Sequence, residues 1–150
     1  MTDLSKPYRG GLVGKTHQFA LTVYFEDTDT AQIVYYANYL KFMDRARTDM
    51  LQCVGIDHAA VHIEGGGAYA VAEVNIRYLR SAHVGDDLLV LTELREVRAA
   101  SIRVHQRVMR GAEKLAEAEV TAAFLTPQGR PQRQPRDWMD TFNSLVVQEG

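Results

Sequence analysis

One cysteine, four prolines, one tryptophan and only four serines occur in 150 residues, and no long apolar run is present. Each scarcity excludes something. Cys53, standing alone, rules out an intramolecular disulfide and suits a reducing compartment. The serines (Ser5, Ser81, Ser101 and Ser144) all fall outside G-x-S-x-G, so there is no nucleophile elbow. No stretch approaches the ~20 apolar residues needed to span a bilayer. The N-terminal residues "MTDLSKPYRGGLVGKTH" carry no apolar h-region, so no secretory signal and a soluble, cytoplasmic protein are expected. Charge of one sign is lacking as well. Seventeen basic against nineteen acidic residues leave a net charge of −2, with nothing to draw the chain to nucleic acid.

Glycine-dependent phosphate sites are also missing: there is no Walker A or dinucleotide fingerprint, and Gly65, Gly66 and Gly67 precede a strand-like segment, not a helix. "HAAVH" sets His58 and His62 at metal-ligand spacing, but no glutamate follows the first histidine and no third ligand is in view, so both read as surface histidines. Asp27 and Asp29 start like a calcium loop that lacks its turn glycine and final glutamate. Cys53, on the apolar side of a helical pattern, is expected to be a buried structural thiol.

What is present is ordered. Residues 1–16 are aperiodic and read as a flexible N-terminal arm. From His17, Phe19, Leu21, Val23 and Phe25 alternate with polar or small neighbours, the period of a half-buried strand. "NYLKFMDRARTDMLQCVG" follows with Tyr39, Met43, Ala46, Met50 and Val54 recurring every three or four residues, which predicts a long helix covered nearly all round. Asn38 is its expected N-cap and Gly55 its terminator. Four strand-like segments (about 68–80, 86–98, 101–110 and 114–125) come next, the last three joined by short links. Three of the four prolines crowd residues 127–135, and a short helix is expected beyond them. The β-α-β-β-β-β order predicts an α+β domain over 17–126, followed by a proline-rich linker and helix over 127–150. Its mainly antiparallel five-stranded sheet leaves edges that a second copy would cover.

The acids Glu26, Asp27 and Asp29, between the first strand and the helix, are the unusual feature. Glu26 continues the outward side of the strand and reads as solvated; Asp27 is placed to accept backbone N–H bonds in the loop. By composition alone Asp29 is a turn residue.

"VYFEDTDTAQIVYYANYLKFMDRART" resembles the signature of the 4-hydroxybenzoyl-CoA thioesterase family of hotdog-fold enzymes, most nearly the acyl-CoA thioesterases associated with the Tol-Pal system. That signature runs Y-x-(D/E)-D-T-D-x-x-G-x-V-Y-H-A-x-Y-L-x-F-x-E-x-A-R. The resemblance implies a sheet around one long central helix and hydrolysis of an aromatic or short-chain acyl-CoA. Asp29 would be nucleophile or general base, and the backbone amide of Tyr36 would stabilise the oxyanion. A helix start suits that role because its free N–H groups favour negative charge. No metal or diffusible cofactor is implied. The expected partners are an acyl-CoA substrate, with acyl carrier protein as an alternative carrier, and further copies of the chain in a homodimer or homotetramer.

Expected substrate contacts are Gln32 and Val34 in the loop, with Arg103 and Arg107 for the CoA phosphates; surface pairing of these arginines with Glu117 and Glu119 is the competing reading. Three positions depart from the family pattern: Ala31 and Gln32 where its glycine falls, Tyr36 for its histidine, and Asp44 for its glutamate. Ala31, Gln32 and Tyr36 keep open a second reading, a non-catalytic module binding acyl-CoA or acyl carrier protein. A hotdog hydratase ranks last, since no histidine lies near the loop.

Overall fold

A computed structural model describes residues 2–148. Helix α1 (Asn38–Cys53) lies against a six-stranded antiparallel sheet of β1 (Gly11–Val13), β2 (Thr16–Thr22), β3 (Ala68–Tyr78), β4 (Asp87–Val97), β5 (Ser101–Arg110) and β6 (Glu113–Leu125). The spatial order is β1-β2-β4-β5-β6-β3. Two further helices, α2 (His58–Ile63) and α3 (Arg136–Leu145), complete the chain.

The period of two in the strands decides which face meets the helix. On β5, Ile102, Val104, Gln106 and Val108 are buried while Ser101, Arg103, His105 and Arg107 lie on the other face. On β6 the buried residues include three alanines (Ala116, Ala118, Ala122) beside Leu115, Val120 and Phe124, and α1 brings further bulk with Phe42, Met43 and Met50 into the same core. The helix shows one buried stripe and one solvated side, Lys41, Asp44 and Arg45, so it is half covered by its own chain.

Four local expectations are corrected. The sheet has a sixth strand: β1 pairs with β2 through the two-residue turn Gly14–Lys15, and three residues are too few to show alternation in the sequence. His58–Ile63, read only as loop, forms a short helix capped by Asp57, whose Oδ1 accepts the Ala60 N–H at 3.0 Å. Asn38 does not cap α1; Ala37 holds the cap position with helical dihedrals and the Asn38 side chain is used elsewhere. Cys53 is exposed, because the buried stripe passes through Met50 and Leu51 to Ile56 and leaves Cys53 outside in the last turn.

Two buried polar clusters hold helix to sheet. Asp49, 6% exposed, accepts from the Gly10 N–H at 3.0 Å and meets His17 Nε2 at 2.7 Å, so one carboxylate joins the N-terminal segment, β2 and α1. Only glycine fits at position 10, since a Cβ there would lie 2.1 Å from the Gln18 carbonyl oxygen. Gln106 donates to the Met43 carbonyl at 3.0 Å and to Thr92 Oγ1 at 2.9 Å, and accepts from Arg47 at 2.9 Å. Replacing Asp49 with Ala leaves His17 and the Gly10 amide without their acceptor. Denaturant unfolding is expected to show a loss of about 3 to 5 kcal/mol.

Candidate active site

Where β2 ends, the backbone makes a 3₁₀ turn, Phe25–Asp27, braced by Tyr24 N–H donating to Asp27 Oδ2 at 2.8 Å. That is the loop-bracing role expected of Asp27. A tight reversal follows: Asp29 N–H donates to the Ile33 carbonyl at 3.0 Å, Gln32 N–H to the Asp29 carbonyl at 2.9 Å, and Thr28 bridges to Val34. Asp29 Oδ1 takes the Ala31 N–H at 2.9 Å, an Asx turn. Its other carboxylate oxygen has no hydrogen-bond partner among the described residues.

The chain leaving this reversal becomes the helix start. The Asp27 carbonyl accepts both the Tyr35 N–H at 3.0 Å and the Asn38 Nδ2 at 2.8 Å, which locks the acid loop to the first residue of α1. Within the first turn, the N–H groups of Asn38, Tyr39 and Leu40 are taken by the carbonyls of Tyr35, Tyr36 and Ala37. The N–H groups of Tyr36 and Ala37 donate to nothing among the described residues. No side chain caps the helix, and no acid sits in its first turn. Two free amides at the positive end of a helix therefore stand at the end of the loop that carries Asp29.

Phenols surround this point. Tyr35 and Tyr36 lie 4.9 Å apart between ring centroids, and Tyr78 on β3 packs edge-on to Tyr36 at 5.9 Å and against Tyr39 at 5.6 Å. The Tyr36 phenol, by repulsion and a hydrogen bond, pushes the Tyr35 pKa above its ordinary value, with a smaller contribution from the Asp29 carboxylate. Burial raises Tyr39, and burial followed by Tyr36 raises Tyr78. With their pKa values raised, Tyr35, Tyr39 and Tyr78 stay protonated near neutrality, and Tyr78 donates its hydroxyl proton in a hydrogen bond.

Beside the helix start runs a shallow groove lined by Ile33, Val34, Tyr36, Tyr39, Tyr78 and Leu79. A second, partly enclosed cavity lies farther along α1, beneath the start of β3, among Arg47, Thr48, Leu51, His58, Tyr69 and Val71. Burial lowers the Arg47 pKa there, opposed by Asp44, whose carboxylate is 3.2 Å away.

Of the residues expected from the sequence, the fold gathers Asp29, Gln32 and Tyr36 at one corner. Val34 is buried at the base of the groove. Arg103 and Arg107 are not brought to that corner: they project from the sheet face opposite α1, where Arg103 meets Glu119 at 2.9 Å and Arg107 meets Glu93 at 3.1 Å. Asp29 itself is exposed, so one chain does not wall it in. Tyr78 escaped the sequence reading because it is 42 residues from Tyr36, and nothing local signals that β3 passes the helix start.

Residues 31–117 match the thioesterase superfamily. An acyl-CoA thioesterase, YbgC, from Haemophilus influenzae is 39% identical over 128 residues, covering 85% of this chain and 94% of the relative. A probable thioesterase from Bartonella henselae superposes with a TM-score of 0.76 at 29% identity, over 80% of this chain and 99% of that one. A 1,4-dihydroxy-2-naphthoyl-CoA thioesterase from Synechocystis, at 23% identity over 85% of this chain and 96% of that one, shares the fold with a TM-score of 0.79.

Gln32 stands where the family pattern has glycine, and it is the one described non-glycine residue with positive φ, at 64°. The reversal keeps a left-handed residue there although the side chain disfavours it. Gln32→Gly is expected to stabilise the protein by about 0.5 to 1 kcal/mol, part of the strain relief being offset by the freer unfolded chain. The midpoint of denaturant unfolding checks this.

Proposed function

This chain belongs to the thioesterase superfamily, and on that premise we propose that it hydrolyses acyl-CoA thioesters at the corner where the Asp29 loop meets the start of α1. The observation that carries the reading is the free Asp29 oxygen on a loop bonded directly to a helix start with two free amides. A thioester carbonyl at this corner places its carbon toward the carboxylate and its oxygen toward the N–H of Tyr36. Asp29 either attacks that carbon, expelling the CoA thiolate and leaving an acyl–aspartyl anhydride that water then hydrolyses, or takes a proton from a water that attacks the carbon directly. In both routes the C–S bond breaks, water supplies the oxygen of the carboxylic acid, and a proton from that water ends on the CoA thiol. Negative charge developing on the carbonyl oxygen is met by the Tyr36 amide, a contribution of about 3 to 4 kcal/mol for one well-placed donor.

The second wall comes from another copy. Among the described residues β3 pairs with β6 alone, and this edge strand of 11 residues exposes Val71 at 48% and Val74 at 37%, the kind of edge that a partner strand covers. Antiparallel pairing of two β3 edges about Asn75 sets Glu73 against the partner's Arg77, a self-complementary match. The same register brings the Tyr78–Leu79 end of one strand beside the Val71–Ala72 end of the other. The groove at one helix start then continues into the other copy's cavity below β3, which forms the acyl slot and covers Asp29. Changing Val71 and Val74 together to Lys is expected to shift the protein to monomer in sedimentation velocity and to abolish most turnover.

The chemistry is tested by thiol release from a panel of aromatic and short-chain acyl-CoA esters, with an acyl carrier protein ester as a further arm. Asp29→Asn keeps the side-chain shape and removes the base or nucleophile, and kcat is expected to fall by about 10²-fold or more. Full activity in this variant would retire the mechanism. Exposure of Asp29 and the substitutions at Gln32 and Tyr36 favour the one rival worth testing, a module that binds acyl-CoA without cleaving it. Binding by calorimetry with no thiol released by the wild-type protein would establish that rival.

A further inference from the structure

Tyr78 makes a contact that the reaction scheme above does not use. Its hydroxyl donates to the Tyr36 carbonyl at 3.1 Å. That carbonyl's other partner, the Tyr39 N–H of the first helical turn, is distant at 3.4 Å, so the phenol supplies the better-placed donor. A peptide unit is planar, and its C=O and N–H point in opposite directions. The unit whose oxygen Tyr78 holds is the one whose nitrogen belongs to Ala37, and the Ala37 N–H is one of the two free amides at the helix start.

We propose that Tyr78 is a positioning residue: by gripping the Tyr36 carbonyl it fixes the 36–37 peptide and presents the Ala37 N–H as a second oxyanion donor beside that of Tyr36. The inference rests on the Asp29 site proposed above and adds to it a donor and the residue that aims it. Two physical effects contribute. The first is orientation: the helix has no side-chain cap and its own turn holds the Tyr36 carbonyl only through the long bond from Tyr39, so the bond from β3 adds the closer restraint. The second is polarisation, since a hydrogen bond received by the carbonyl strengthens the N–H of the same unit as a donor. Edge-on packing against Tyr36 and Tyr39 sets the ring, and its raised pKa keeps the hydroxyl a donor across the working range.

Tyr78→Phe removes the hydroxyl and keeps both ring contacts. Because the Ala37 amide is loosened, not deleted, kcat is expected to fall about tenfold, less than the 10²- to 10³-fold typical of losing a donor outright. KM is expected to stay within about twofold and the unfolding temperature within about 2 °C, since the lost bond is exposed. The kcat–KM split separates aiming from mere support: a falling unfolding temperature with kcat unchanged would assign Tyr78 to structure and overturn the proposal. So would a wild-type kcat in Tyr78→Phe while Asp29→Asn is inactive, an outcome that leaves the Asp29 site standing. Full activity in Asp29→Asn would remove both.

Discussion

The Asp27 carbonyl holds the functional corner together. One oxygen accepts the Tyr35 amide and the Asn38 side chain, and with those two bonds the acid loop and the first turn of α1 become one unit. Asn38 is the first residue inside the helix, behind Ala37 at the cap, and its side chain donates to the loop through Nδ2. The amides left open among the described residues are those of Tyr36 and Ala37, just ahead of the helix, while the N–H groups of Asn38, Tyr39 and Leu40 are taken by the carbonyls of Tyr35, Tyr36 and Ala37. A small sacrifice in helix stability, of the order of 1 kcal/mol for an absent cap, leaves a positive helix end available for chemistry.

Around that corner the fold supplies rigidity in layers. The Asp49 carboxylate, with His17 and Gly10, anchors the helix to β2 and to the segment leading into β1, and the Gln106 cluster anchors it to β4 and β5. Both are buried polar networks, which give direction as well as cohesion where apolar packing alone would let the helix slide. The outer sheet face is treated differently. Arg103, His105 and Arg107 are matched across strands by Glu119, Glu117 and Glu93, so the face remains wettable and its charges are largely neutralised at short range. Exposed apolar side chains include Val71 and Val74 on the outer strand β3 and Tyr35 and Tyr36 at the helix start, the two places where the proposed function needs a second copy and a substrate; Leu4, Val13, Phe25 and Ile63 are exposed as well.

Strand and helix periods carried most of the architecture. The alternation in β5 and β6 and the three-four spacing of α1 are local patterns, and local patterns survive without knowledge of the fold. Gly55 was equally legible, ending α1 with a positive φ of 83°. The losses came where a residue's fate depends on something far along the chain. Cys53 sits on the apolar side by counting, yet is exposed because the core runs on through Leu51 and Ile56. Arg103 and Arg107 had the right charge for phosphates, but the face they occupy turns away from α1 and already holds carboxylates.

By itself the sequence determined the α+β class, the long helix, the position of the acid loop immediately before it and, through the ordered motif from Tyr24 to Arg47, the family. These follow from short-range sterics and from the pairing of residue types within a few positions. Only the tertiary structure decided that Tyr78 reaches the Tyr36 carbonyl and that, among the described residues, two amides at the helix start stay free and β3 is left with an unpaired edge. Such features arise when segments dozens of residues apart are brought side by side, and which segments meet is set by the packing of the whole sheet against the helix.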